Sequence, residues 1–291
     1  MVKDEQMNGK ICMVTGATSG IGLYTALELA RQGAAVIIGS RDAQRCQAAS
    51  LRIRQETHNP DVDYIAADLS SQAQIRRLVE IFKERYARLD VLVNNAGAFF
   101  LRRQQSEDGI EMTFALNHLS YFLLTHLLLD TLRVNAPARI VNVASNAHRR
   151  EGMNFDDLEG KDKYSGFRAY GQSKLANLLF TYELARRLEG VSVTANALHP
   201  GFVATNIGKN NGLLSRLVMP IASLRAIRPE EGARTPVYLA SSPEVEGVSG
   251  LYFVREMAVP SSPDSYDAQS ARRLWEISAE MTGLGSGFTS Q

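Results

Sequence analysis

The strongest constraint in this chain is an alternation that runs through its first two thirds. Short β-branched or apolar runs, at 11–14, 34–38, 63–66, 91–93, 139–144 and 192–197, read as strands. Between them, residues 21–32, 42–56, 71–85, 109–134 and 168–188 carry apolar side chains at helical spacing. A buried strand of a few residues followed by a helix of ten or more implies a crossover to a parallel neighbour, so the pattern predicts βαβ units with helices on both faces of a sheet. Right-handed crossovers then give an α/β, doubly wound parallel sheet. No repeat at solenoid periods and no Pro/Gly linker divides the chain, so residues 1–282 are expected to form a single domain. A substrate-binding insertion is expected at about 205–228, and 283–291 is expected to be a disordered tail.

Composition narrows the function. Lys and Arg number 32 against 31 Asp and Glu, a net charge of +1, which gives no electrostatic reason to expect nucleic acid. Hydrophobic residues at 45% and charged residues at 22% exclude wholesale disorder and fibrous architectures. Two cysteines, Cys12 and Cys46, cannot build a disulfide framework or a four-cysteine zinc site. The histidines (His58, His118, His126, His148, His199) show no metal-ligand spacing, so no metal is expected, and His118 and His126 read as satisfied helix residues. The longest apolar stretch, 121–129, is broken by Thr125 and His126 and falls short of the roughly 18 residues of a membrane span, so it reads as a buried helix. Residues 1–10 are polar and too acidic for a targeting segment. The chain is therefore expected to be soluble and cytoplasmic, without a membrane partner.

The first strand runs into Thr15-Gly-Ala-Thr-Ser-Gly-Ile-Gly22, which opens the first helix. A glycine at Gly16 permits a tight turn, and Gly20 and Gly22 let backbone and helix N-terminus approach a pyrophosphate. The end of the second strand discriminates between dinucleotides: an acidic residue accepts from a ribose 2′-hydroxyl, whereas arginine suits a 2′-phosphate. The chain reads Gly39-Ser40-Arg41-Asp42, with Asp42 20 positions beyond Gly22, a spacing that counts toward NAD(H). As a helix N-cap, however, Asp42 stands one step too far on, leaving Ser40 and Arg41 to face the phosphate. Arg41 offers a planar donor fork to an oxyanion, so NADP(H) is the expected cofactor and NAD(H) the second choice. The plain alternative for Arg41 is a solvated surface charge.

Tyr170 and Lys174 stand four residues apart within a predicted helix, one turn apart on one face. A free phenol titrates near pH ~10, and bringing that down by about 3 pH units takes roughly 4 kcal/mol. A neighbouring ammonium supplies part of it and an oxidised nicotinamide more. Alone, the pair is an ordinary amphipathic spacing. It is accompanied by Ser145 at the end of the fifth strand, Asn94-Asn-Ala-Gly97 at the end of the fourth, and Asn117 in the preceding long helix. These signals meet at the carboxyl edge, where open sheets place their ligands.

With these motifs in order, the sequence resembles the short-chain dehydrogenase/reductase family over about residues 8–260, which implies a Rossmann fold and oxidoreductase activity. The family's glycine motif matches Thr15 to Gly22, which implies cofactor contacts from Gly16, Thr18, Ser19, Gly20, Ile21 and Gly22. Asp68-Leu69 matches the pair that approaches the adenine, and Asn95, Ala96 and Gly97 the loop along the cofactor. Asn117, Ser145, Tyr170 and Lys174 match the catalytic set, with Asn117 positioning a water between Lys174 and solvent. Pro200-Gly201, followed by Val203 and Thr205, matches the segment at the nicotinamide. Finer phrasing, in Ala144-Ser-Asn-Ala-His148, Asn154-Phe-Asp-Asp-Leu158 and Leu198-His-Pro-Gly201, is similar to the retinol-dehydrogenase-like branch, close to WW-domain oxidoreductases and protochlorophyllide reductases. Membrane-bound members of that branch carry a hydrophobic anchor before the first strand; none is read before Lys10 here, so the resemblance is not expected to extend to retinoids or membrane attachment.

The resemblance implies hydride transfer between NADP(H) and the carbon of a hydrophobic aldehyde, ketone or secondary alcohol, with Tyr170 exchanging the proton and Ser145 bonding the oxygen. Substrate walls are expected from Phe99, Phe100 and Leu101, from Met153, Phe155, Leu158, Tyr164 and Phe167, and from Ile207, Leu213, Leu214, Leu217, Val218, Met219 and Ile221. His148-Arg149-Arg150 is read as a solvated basic turn. Oligomeric state is open between monomer and homodimer. The alternatives are an epimerase or dehydratase of the extended subgroup, whose glycine motif is spaced differently, and a nucleotide-binding sensor or scaffold without turnover.

Overall fold

The structure, a computed structural model, describes residues 6–202 and 227–285. Eight strands form one sheet: β1 (Ile11–Thr15), β2 (Ala35–Ser40), β3 (Val62–Ala66), β4 (Val91–Asn94), β5 (Ala138–Val143), β6 (Val193–His199), β7 (Tyr252–Val254) and β8 (Met257–Ala258). Their spatial order is β3-β2-β1-β4-β5-β6-β7-β8, parallel throughout except for the β7–β8 hairpin. The chain steps outward from β1 to β3 and returns to begin again at β4. The carboxyl ends of β1 and β4 therefore flank the crevice where the order reverses.

Both faces are covered, which is why the strands are apolar without alternation. Cys12 and Val14 of β1 pack with α1 (Gly20–Arg31), α2 (Ala43–Thr57) and a later helix over Arg234–Ser241. Met13, between them, faces the other side, toward α3 (Gln72–Arg85), α4 (Met112–Val134), α5 (Gly166–Arg187) and the helix over Ala268–Met281. In chain order those two later helices are α6 (Arg234–Ser241) and α7 (Ala268–Met281). Adjacent side chains of one strand thus belong to two cores.

Two differences from the sequence reading have local causes. Helix α4 starts at Met112 rather than at 109: Gly109 takes φ +75°, and the buried Glu111 carboxylate then caps the helix by accepting from the Thr113 and Phe114 N–H groups at 2.9 and 2.8 Å. Strands β7 and β8 went unread because they are only three and two residues long, too short for any period. His118 and His126 are satisfied within the fold as expected, His118 beside the Ser278 hydroxyl at 2.9 Å and His126 against the Phe122 carbonyl at 2.8 Å. Val203, Thr205 and the apolar set from Ile207 to Ile221 lie outside the described residues, as does the end of the tail from 286.

Candidate active site

At the β1–α1 turn, Gly16 and Gly20 adopt φ +66° and +58°, torsions that disfavour any side chain. The N-cap residue of α1, Ser19, makes no side-chain cap bond, and the first turn of the helix carries no acidic residue. The positive end of a twelve-residue helix is therefore left to an external acceptor, which fits the pyrophosphate of a dinucleotide. Thr18, Ser19, Gly20 and Ile21 form a half-exposed rim. Gly22 is different: it is buried, and a Cβ there would run into the Asn95 amide and the Gly16 carbonyl. Its missing side chain serves the packing of α1 on the β4 loop.

Asn95 likewise works inside the protein. Its amide donates to the Thr15 carbonyl at 2.7 Å, while the Thr15 hydroxyl accepts from the Asn95 and Ala96 N–H groups at 2.9 and 3.0 Å. The ends of β1 and β4 are thereby stitched together, and Ala96 and Gly97 run along the crevice from that point. On the β2 side, Asp42 caps α2 by accepting from the Arg45 N–H at 3.1 Å, as expected of it. Ser40 is half-buried at the strand end. The Arg41 side chain is 73% exposed and only loosely paired with the Asp68 carboxylate at 3.8 Å, so its fork is available to an incoming anion. Leu69 is buried in the core beside Asp68. Past β6, Pro200 and Gly201 turn over the same edge, Gly201 at φ +90° with Ile227 where its Cβ would be.

The chemistry-bearing side chains converge at the ends of β4 and β5. Tyr170 and Lys174 project from α5, and Ser145 begins a 3₁₀ turn over Asn146–Arg149. The Ser145 hydroxyl acts on the Tyr170 phenol, favouring its charged form. The buried Lys174 amine donates to the Val143 carbonyl at 3.0 Å and lies 5.7 Å from the ring centroids of both Tyr170 and Tyr121. Asn117 sits on a π-helical turn, Ala115–Leu119, a widened geometry often found at functional positions. Its side chain is held on three sides, accepting from the Ala98 N–H at 2.8 Å and donating to the Ala98 carbonyl and the Ser173 hydroxyl at 3.0 and 3.1 Å. A Cβ on Gly97 would stand 3.2 Å from Asn117 Oδ1 and 3.6 Å from Lys174 Nζ, so glycine keeps this junction tight.

Electrostatics differ from the sequence expectation. Burial pushes the Tyr170 phenol up to about 12, with the Ser145 hydroxyl pulling the other way. Burial also draws the Lys174 amine down to about 7. The expected lowering of the phenol by Lys174 is thus not expressed in the protein alone, because an enclosed amine loses its own charge before it can stabilise another.

Three expected features are not where the sequence put them. His148 is buried rather than solvated: its Nδ1 meets the Ser145 carbonyl at 2.6 Å and its Nε2 accepts from the Ser262 N–H at 3.1 Å. No local signal distinguishes it, since its cover comes from a segment more than a hundred residues later. Met153, Phe155 and Leu158 pack on the core with Leu175 and Leu179 rather than lining a pocket. The Tyr164 hydroxyl is tied to the Phe100 carbonyl at 3.0 Å and to Glu111. Of the expected substrate walls, Phe99 and the exposed Phe167 do meet at the site, their rings 5.1 Å apart and Phe99 edge-on to Tyr170 at 5.9 Å.

A family model described as short chain dehydrogenase matches residues 10–213. Human retinol dehydrogenase 14 is 45% identical, covering 96% of this chain and 88% of that protein. Human polyprenol dehydrogenase is 41% identical over 94% and 86%. Among solved structures, a Pseudomonas aeruginosa RhlG/NADP active-site complex is 30% identical with a TM-score of 0.67, covering 87% of this chain and 97% of that one. These relatives overturn the cytoplasmic expectation, because they are named for retinol and polyprenol, alcohols on long water-insoluble hydrocarbon chains. The companion reading, that no apolar stretch nears the length of a membrane span, is also corrected. Helix Met112–Val134 is long and apolar enough by length and composition, although 78% of its most apolar window is buried inside the fold. On sequence, sheet topology and site together, the chain belongs to the short-chain dehydrogenase family of oxidoreductases, within its retinol-dehydrogenase-like branch.

Proposed function

We propose that the protein interconverts a hydrophobic aldehyde or ketone and its alcohol with NADP(H). The observation that carries this reading is the convergence of Tyr170, a buried Lys174 whose amine lies 5.7 Å from its ring, and Ser145 at the end of β5. When bound, the nicotinamide dinucleotide supplies or accepts the hydride. The α1 N-terminus with Gly16, Thr18, Ser19, Gly20 and Ile21 would hold its pyrophosphate, and Ser40 and Arg41 its 2′-phosphate. Asp68, Leu69, Ala96 and Gly97 would flank its adenosine half and Pro200-Gly201 its nicotinamide half.

Tyr170 gives a proton to the substrate oxygen in reduction and takes it back in oxidation. Ser145 hydrogen-bonds that oxygen as charge develops on it. Lys174 would hold the cofactor ribose and, in its ammonium form, favours the phenolate. Asn117 positions a water that returns protons to Lys174 from solvent.

An apolar substrate is supported by the Phe99 and Phe167 edge beside Tyr170 and by the names of the retinol and polyprenol relatives. NADP(H) is supported by the exposed Arg41 fork and by the NADP complex of the Pseudomonas neighbour. Loss of NADPH absorbance is measured against a panel of long-chain and aromatic aldehydes and ketones. Turnover on apolar members is expected; silence across the panel with retained NADPH binding would overturn the reading.

A further inference from the structure

Ser145 does not owe its position to β5 alone. Its carbonyl is held by the His148 imidazole at 2.6 Å as well as by the His148 N–H at 3.1 Å. The other ring nitrogen, Nε2, accepts from the Ser262 backbone N–H at 3.1 Å. A backbone N–H can only donate, so Nε2 carries no proton, and the proton of the neutral ring must sit on Nδ1, where it donates to Ser145. Both nitrogens are thus committed to opposite roles by their partners.

The groups around the ring enforce that neutral form. Tyr252 of β7 stands edge-on to it at 5.2 Å, His199 at the end of β6 adds a like charge if protonated, and Arg149 on the same turn is cationic. None of these favours an imidazolium, and burial opposes it further. The 259–266 segment is itself anchored to α5, where the Ser261 and Tyr182 hydroxyls lie 2.7 Å apart and Tyr266 stacks on Tyr182, and to the turn after Ser145, where Arg149 donates to the Pro260 carbonyl.

We propose that His148 is a positioning residue for turnover, a fixed Nδ1–H tautomer that sets the Ser145 hydroxyl against Tyr170, the Ser262 N–H serving to select that tautomer. The proposal rests on the reading that Ser145 takes part in the reaction.

The test compares two near-isosteric variants of the full chain with NADPH and the best carbonyl of the panel. In His148→Asn the side-chain amide keeps a donor near the Nδ1 position, and kcat is expected to stay within about threefold of wild type. In His148→Gln the donor is displaced toward Nε2, and kcat is expected to fall roughly tenfold to a hundredfold at unchanged KM for NADPH. In a Ser145→Ala background, His148→Gln is expected to change kcat by less than about twofold, because the hydroxyl it positions is gone. Equal losses in both variants, or a full His148→Gln effect without Ser145, would mean a general structural role and overturn the proposal. So would nitrogen NMR of the wild-type histidines showing His148 protonated on Nε2 at neutral pH, a readout that needs no variant. A wild type silent on every carbonyl sinks the function reading and this inference together; an active wild type with a fully active His148→Gln sinks this inference alone.

Discussion

The two sides of the crevice are built from different materials. Around β1 and β2, the features offered to a ligand are backbone torsions, a helix terminus without a side-chain cap, and one arginine that is 73% exposed. Around β5 and α5 they are side chains enclosed by the fold, with Asn117, Lys174 and His148 all buried. The first side needs only glycines at particular steps and a helix that begins there. The second needs desolvation, which displaces the proton affinities of Tyr170 and Lys174 in opposite directions, the phenol up to about 12 and the amine down to about 7. Binding and chemistry should therefore fail separately when each side is damaged.

The largest expected separation comes from Tyr170→Phe. Removing one hydroxyl from the buried side should lower kcat by roughly 10²- to 10⁴-fold, the range of a general acid–base contribution. NADPH affinity by fluorescence titration should remain within about twofold, and a comparable loss of affinity would show that the two sides are not independent. The converse variant is Arg41→Ala, on the exposed side. Losing a charge-assisted contact of about 1.5–3 kcal/mol should weaken NADPH binding by roughly tenfold to a hundredfold and leave NADH binding unchanged. Equal effects on the two cofactors would remove Arg41 from the 2′-phosphate.

Gly22→Ala probes the seam between the sides. The added methyl meets the Asn95 amide and the Gly16 carbonyl, so a destabilisation of about 1–3 kcal/mol is expected in urea unfolding. A stability equal to wild type would show that the seam has slack. A pH dependence is expected as well. The Lys174 amine titrates lower in the fold than in the unfolded chain, where its ordinary value is 10.5, so burial penalises the charged form. That penalty is fully present below about pH 7, fades as pH rises through the window up to 10.5, and is absent above it. Relative to Lys174→Met, wild-type stability should rise with pH across that window by at most about 1.4 kcal/mol per pH unit. A flat difference would place the charge in a better-solvated site than the structure shows.

The contrast also explains what could be read in advance. The Thr15–Gly22 turn, the Asp42 cap and the Tyr170–Lys174 spacing are local: each follows from torsions or helical period within a few residues. His148 was misread because its partners, Ser262 and Tyr252, are supplied from the far end of the chain. The seam that Gly22 and Asn95 form with Thr15 and Gly16 was not legible, because the motif names residues without saying which atoms they touch. The direction of the Tyr170 shift was missed for a related reason, since an i, i+4 spacing brings an ammonium close but says nothing of how much water remains around it.

By itself the sequence settled the doubly wound architecture, the place of the glycine-rich turn and the set of residues meeting at the carboxyl edge, because periodicity and glycine placement act over short stretches of chain. Folding decided which of those residues hold the protein together, which stay free for a ligand, and what proton affinities they have. Those properties depend on burial and on hydrogen-bond partners drawn from distant segments, and neither exists until the chain is packed.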